Sequence, residues 1–254
     1  MGMEADPIQV SSAPLNSDRE TPDIDSSTDD YASRFSGVAG SFFLDVQSRV
    51  TLDLIAEWPQ SSVLDVGGGH AQIAPVFAGN GHSVTVLGSD ASCSTRLDRC
   101  DPALGIRFVE GDVVRLPFPD QSFDVVTSFR MVPHLDAWEL HLKEMLRVCR
   151  KGLIFDYPDI RSFNILYRLL FTLKKRFEKN TRTFACFSRK QIRMALGVRY
   201  ENVDYRPQFF FPMVVHRKLK SRSLSEGIEA ASSGLGLKAC FGSQIVVRCR
   251  RPSA

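Results

Sequence analysis

Apolar positions change their spacing along the chain, and the changes sort it into elements. Residues 1–30 are rich in Ser, Pro and Asp and poor in large apolar side chains. They cannot bury enough surface to offset the entropy of ordering, so a disordered acidic tail is expected there. From Tyr31 to Trp58 the apolar residues Phe35, Phe42, Phe43, Val46, Val50, Leu54 and Ile55 recur at helical spacing. Gly37 and Gly40 interrupt them, which predicts two short helices. Strands and helices then alternate. Ser62–Val66, Ser83–Leu87, Ile106–Glu110, Phe123–Ser128 and Leu153–Asp156 read as strands. Between them, Ala71–Ala78 (stopped by Asn80-Gly81), Ser94–Arg99 and Trp138–Cys149 read as helices, with Gly152 closing the last unit. This alternation predicts an α/β fold with a doubly wound parallel sheet.

The last hundred residues are less regular. Phe163–Lys179 predicts a long helix, apolar along its length and basic at its end. Ser188 is placed to cap a helix over Arg189–Leu196 that ends at Gly197. Tyr200–Arg206 reads as a strand and Met213–Ser233 as helical. Leu237–Cys249 reads as a final strand, or as a hairpin turning at Gly242-Ser243.

Charge sharpens the division. Residues 1–30 hold eight acidic residues and one basic, a net −7, leaving 31 basic against 21 acidic residues, a net +10, in the remainder. A basic body suits an anionic substrate or surface, and also plain solubility. The 43% hydrophobic and 24% charged shares are those of a soluble globular protein. No apolar run is long enough to cross a membrane, and the N-terminus lacks a signal-peptide layout, so a cytoplasmic location is expected. The six cysteines form no Cys-x-x-Cys pair and no metal-ligand spacing. Reduced thiols and no metal are expected.

The candidate chemistry sits at the strand ends. Gly67-Gly68-Gly69 follows the first strand, where glycines let the backbone turn tightly and approach a ligand. The helix behind it offers unpaired N–H groups. A dinucleotide fingerprint would need a third glycine at position 72, where Gln72 stands, which disfavours a nicotinamide oxidoreductase. Asp65 ends the first strand and can face an ammonium group. Asp90 ends the second and can accept from ribose hydroxyls. Asp112 follows the third and can accept from an exocyclic amine, with Val113 offering a backbone N–H and an apolar face. Each acid alone could equally be a turn or helix cap. Three behind a glycine turn form a set.

Val63-Leu-Asp-Val-Gly-Gly-Gly69, Gly111-Asp112, Leu116-Pro-Phe-Pro-Asp-Gln-Ser-Phe-Asp-Val-Val126 and Arg147-Val-Cys-Arg-Lys-Gly152 resemble the successive motifs of class I S-adenosylmethionine-dependent methyltransferases. The flavour is that of the group containing quinone-biosynthesis C-methyltransferases and small-molecule O-methyltransferases. The resemblance covers roughly Tyr31 to Asp156. It implies a Rossmann-like sheet of about seven strands, mostly parallel, with a helical C-terminal cover. It also implies one domain over 31–254: helices at 31–58, a cofactor core at 62–157, a substrate cover at 158–235 and a last strand at 236–250. S-adenosyl-L-methionine is the implied cofactor. Asp65, Gly67 and Gly69 would lie around its methionine part, with Phe129 and Arg130 flanking; Asp90 would lie at the ribose, and Asp112 and Val113 at the adenine.

Methyl transfer from a sulfonium needs alignment and a dry pocket, and a base only where the nucleophile must lose a proton. His134, Arg130 and Tyr157 are the candidate catalytic residues, with Asp156 beside them. His134 lies where the methyl group should point, or makes a local bond at a helix start. Arg130 orients an anionic substrate, or pairs with a neighbouring carboxylate. Tyr157 lines the pocket, or packs. Gln208-Phe-Phe-Phe-Pro212 adds aromatic residues near the ligand side or in the core. The expected partner is a small, hydrophobic or lipid-linked acceptor, with peripheral contact to an anionic membrane. A nucleic-acid substrate is not expected, because Ser128-Phe-Arg-Met131 stands where amino-methylating nucleic-acid enzymes carry Asn/Asp-Pro-Pro-Tyr/Phe. A non-catalytic cofactor-binding subunit that activates another protein is the alternative.

Overall fold

A computed structural model describes residues 19–162, 185–197 and 202–251. Seven strands form one sheet: β1 (Ser62–Val66), β2 (Ser83–Gly88), β3 (Arg107–Glu110), β4 (Phe123–Ser128), β5 (Cys149–Tyr157), β6 (Val203–Phe209) and β7 (Ser243–Arg250). Their spatial order is β3-β2-β1-β4-β5-β7-β6. β1 to β5 pair in parallel, and β7 runs antiparallel to both β5 and β6. The expected mostly parallel α/β sheet is therefore present. The order reverses at β1, whose neighbours β2 and β4 lead to opposite edges. A crevice opens outside the strand ends at such a point.

Burial on both faces explains why β1 reads as an unbroken apolar run. Leu64 and Val66 pack into one core layer, with Leu142, Met145 and Val148 of the helix Trp138–Val148 and Ile192 of the helix Arg189–Leu196. Val63 packs into the other, with Leu54 and Ile55 of the long helix Gly37–Ile55 and Phe77 of the helix Ala74–Gly79. These β1 side chains are fully buried, and each contributes about 1.5–3 kcal/mol of transfer free energy. Ser188 accepts from the backbone of Gln191, and the Gln191 side chain returns the bond, so the expected cap is a reciprocal capping box.

Several expectations are corrected. Part of the stretch expected to be disordered is folded: Pro22–Ser26 and Asp29–Ser33 are short helices, and Asp23 is fully buried. Its acidic composition conceals specific partners, described below. The long helix starts at Gly37 (φ 70°) and runs through Gly40 without a break, because Gly40 lies hard against the Phe35 backbone, where a side chain would not fit. The helix after β1 begins only at Ala74, behind a 3-10 turn, Gly68–His70. Two 3-10 turns, Ala91–Ser94 and Leu97–Arg99, replace the helix expected at 94–99. Met213–Ser233 is two helices, Met213–Leu219 and Arg222–Gly234, divided where Lys220 turns left-handed (φ 48°). The end of the chain is a short helix, Leu237–Phe241, followed by β7. β6 begins at Val203, three residues later than expected. The helix expected at Phe163–Lys179 lies outside the described residues.

β5 is longer than its expected four residues because Gly152 does not end it. The Trp58 ring lies where a Gly152 side chain would stand, so this glycine lets a helix-end aromatic seal the sheet. Replacing Gly152 by Ala must displace that ring. We expect a loss of about 1–3 kcal/mol of unfolding free energy, read as a lower urea midpoint at unchanged slope.

Candidate functional site

The ends of β1 and β4 bring the first site residues together. Asp65 is fully buried and accepts from the Thr127 hydroxyl at 2.8 Å through Oδ1. Its Oδ2 is buried without a partner. Burial pushes the Asp65 carboxyl up to about 7, opposed by the Thr127 hydrogen bond and the nearby Arg130 cation. A buried carboxylate oxygen left unsatisfied is costly, and an ammonium group placed there would satisfy it. Gly68 has no room for a Cβ beside this carboxyl, and Gly67 takes φ 75° against Met131. Ala71 holds a left-handed φ of 54°, conformationally a fourth glycine that composition alone does not reveal. His70 is buried between these turns, and burial holds its pKa well below the usual value.

Asp90 and Asp112 stand where the sequence placed them, after β2 and β3. Each uses Oδ1 to cap its own turn, accepting from Ser92 N at 2.8 Å and Val114 N at 2.9 Å. The Ser92 contacts hold the Asp90 carboxyl below its ordinary value. Val113 is buried, and its carbonyl accepts from Nδ1 of the buried His141 at 2.7 Å. Burial lowers the His141 pKa to about 4, so the ring is neutral and its single proton sits on Nδ1. His141 Nε2 meets Ser128 Oγ at 3.1 Å, which ties the β3 loop to the end of β4. Phe129 is buried in the core layer beside Val125.

The N-terminal segment, which the sequence pattern assigned to a tail, lies across these strand ends. Asp23 accepts from Ser89 N at 2.7 Å and Ser89 Oγ at 2.5 Å. Ser27 Oγ lies against Gly69. Asp29 pairs with Arg96 and Arg99, and Glu20 accepts from the backbone N–H groups of Asp136 (2.6 Å) and Ala137 (2.7 Å). No spacing rule marks these acids, because their partners lie more than sixty residues away.

A cavity of about 300 Å³ opens beside Arg130. Arg130, His134 and Asp156 line it, with Gln47, Gln208 and the aromatic wall Phe210-Phe211. Asp156 is buried, and its Oδ1 accepts from Arg130 N at 2.6 Å, holding Arg130 in a left-handed turn of φ 61°. Burial pushes the Asp156 carboxyl up to about 6. Both raised carboxyls stabilise the fold below about pH 3.8, and that contribution is lost as pH rises through about 6 and 7. Side chains alternate along β5, so Tyr157 faces away from Asp156, fully buried beside Phe187. Tyr157 is not among the residues lining the cavity, and His134 is.

A buried acid holds the backbone at Phe210 and Phe211. Glu229, on the helix Arg222–Gly234, accepts from Phe210 N at 2.8 Å and Phe211 N at 2.9 Å, and meets His216 Nε2 at 3.2 Å. His216 sits among Phe42, Phe43 and Phe209. Glu229 has no sequence signature, since its partners are backbone groups brought to it by the fold.

Residues 64–155 match the family model described as a methyltransferase domain. The chain is 32% identical over 158 residues to a demethylmenaquinone methyltransferase of Beutenbergia cavernae, covering 59% of this chain and 65% of that protein. It is 35% identical over 102 residues to a fatty-acid O-methyltransferase of Mycolicibacterium smegmatis, covering 39% of this chain and 37% of that protein. It therefore spans less than two thirds of the length of these curated relatives. Magnesium protoporphyrin IX methyltransferase from Synechocystis, solved with bound SAH, superposes with a TM-score of 0.59 over 88% of this chain and 94% of that one, at 13% identity. That likeness is one of fold. Residues 64–155, from β1 to β5, are thus similar to a methyltransferase domain.

Proposed function

We propose that the protein transfers a methyl group from S-adenosylmethionine to a small, hydrophobic or lipid-linked acceptor. One observation carries the reading. A buried carboxylate oxygen without a partner, at Asp65, and an aromatic-walled cavity share one neighbouring residue, Arg130. Asp65 would hold the methionine ammonium, with Gly67, Gly69 and the backbone at Phe129 shaping that part of the site. Asp90 would take the ribose hydroxyls, and Asp112 with Val113 the adenine. The bound cofactor supplies an electrophilic methyl carbon on a sulfonium. The chain supplies alignment and exclusion of water through its buried walls.

His134 and Asp156 are the groups placed to take a proton from an acceptor in the cavity. Asp156 suits that role because burial brings its carboxyl close to neutral pH. The apolar wall favours an apolar acceptor. A quinone precursor and a fatty acid, named for two relatives, have that character. No helix of the described residues is long and apolar enough to cross a membrane. A peripheral site on an anionic membrane fits the basic body, where exposed Val214 shares a short helix with Arg217 and Lys218.

A methyl-transfer screen with labelled cofactor against cell extracts tests the reading, with Asp90→Ala as the control that is expected to lose transfer. Cofactor binding without any labelled product would instead support a non-catalytic subunit that activates another protein.

A second prediction follows from Asp65. An ammonium group favours its ionised form, so cofactor binding is expected to release protons near neutral pH. Affinity should rise as pH climbs toward about 7. Calorimetry in buffers of different ionisation heat reads the released protons. Asp65→Asn is expected to abolish that release and to weaken binding by about 10- to 100-fold.

A further inference from the structure

Arg130 has more donors than the protein gives it acceptors. Its guanidinium is stacked over the Phe35 ring, 4.6 Å from the centroid, and lies 6.0 Å from that of Tyr31. Nη2 donates to Gln47 Oε1 at 3.3 Å. Nε and Nη1 are buried with no hydrogen-bond partner. A guanidinium stays charged at every physiological pH, and a buried cation with unpaired N–H groups is costly unless an anion meets it.

The carboxylates nearby feel the Arg130 charge without forming an ion pair with it. Asp156 uses Oδ1 for the backbone N–H of Arg130, and Asp65 uses Oδ1 for Thr127. Among the described residues, none forms an ion pair with Arg130. Yet the side chain is held in place: the guanidinium lies over the Phe35 ring, Gln47 accepts from one end, and Asp156 fixes its backbone in a turn that L-residues rarely adopt. Such immobilisation in advance of a ligand lowers the cost of binding one.

The cavity continues from this cation into an apolar wall. Phe43, Phe210, Phe211, Pro212 and Met213 line it. Glu229 fixes the backbone of that wall through the N–H groups of Phe210 and Phe211. Charge at one end and aromatic surface at the other define the shape of a ligand. We propose that the cavity binds an apolar molecule bearing a carboxylate, with the carboxylate on the Arg130 guanidinium and the apolar body against Phe43, Phe210 and Phe211. The proposal rests on the reading above that this cavity receives the methyl acceptor, and it adds that the acceptor is an anion.

A carboxylate also belongs to the methionine part of the cofactor, so the experiment separates the two sources. The purified protein is titrated with 4-phenylbutyrate and with its neutral amide, each in the absence and presence of S-adenosylhomocysteine, by ligand-observed NMR. The carboxylate is expected to bind at least about tenfold more tightly than the amide. Arg130→Asn suits the left-handed backbone at this position and so keeps the fold. It is expected to erase that preference by weakening carboxylate binding about 10- to 100-fold, a larger factor than any change in S-adenosylhomocysteine affinity. Arg130→Lys, which keeps the charge, is expected to retain part of the preference.

Equal binding of the two probes, or no binding of either, overturns the proposal. So does a loss that falls on S-adenosylhomocysteine instead, since Arg130 would then serve the cofactor. If the carboxylate preference holds but S-adenosylhomocysteine does not bind, the anion site stands and the methyl-transfer reading fails.

Discussion

The site depends on one topological constraint, the reversal of strand order at β1. β2 and β4 flank β1 and lead to opposite edges, so the loops leaving β1 and β4 part over the middle of the sheet. The Asp65 carboxyl sits in that gap, bonded to Thr127 on β4 and to nothing else among the described residues. The same gap admits the glycine turn on one side and Arg130 on the other. A carboxylate in so dry a place is tolerable only while protonated or while facing a cation. The sheet thus creates a demand that a ligand ammonium can meet.

Arg130 divides the region in two. Its backbone is fixed by Asp156 from β5, and its guanidinium by rings from the N-terminal segment and by Gln47 from the long helix. Its charge reaches the Asp65 carboxyl at the end of β1, and its side chain lines the cavity walled by Phe210 and Phe211. Asp156, with its carboxyl near 6, borders the cavity at the same point. Three elements distant in sequence must dock before either half exists.

Other polar contacts among the described residues hold loops. His141 ties the Val113 carbonyl to the end of β4, and Glu229 holds the aromatic wall. Arg147 donates to the carbonyls of Leu116 and Phe118 and pairs with Asp120 and Glu144. Arg248, a buried residue of β7, is paired with Glu57 and Asp204 and donates to the Leu54 carbonyl, joining the long helix to the sheet. Each satisfies groups that burial would otherwise leave unpaired.

Local sequence determined the alternation of strands and helices over residues 62–157, because strand burial and helix amphipathy are properties of nearest neighbours. It determined the glycine turn and the positions of Asp65, Asp90 and Asp112, because a strand end fixes where its last side chains stand. Only the tertiary structure decided the rest. Asp23 lies in a stretch whose composition alone predicts disorder, and becomes buried because Ser89 supplies two donors from the end of β2. Tyr157 and Asp156 are neighbours in sequence but face opposite sides of β5, and strand pleat sends only Asp156 to the cavity. Arg130 gains its meaning from partners of its side chain at positions 31, 35 and 47 and of its backbone at 156. Burial, unsatisfied charge and shape depend on which distant segments meet, and no spacing along the chain encodes that.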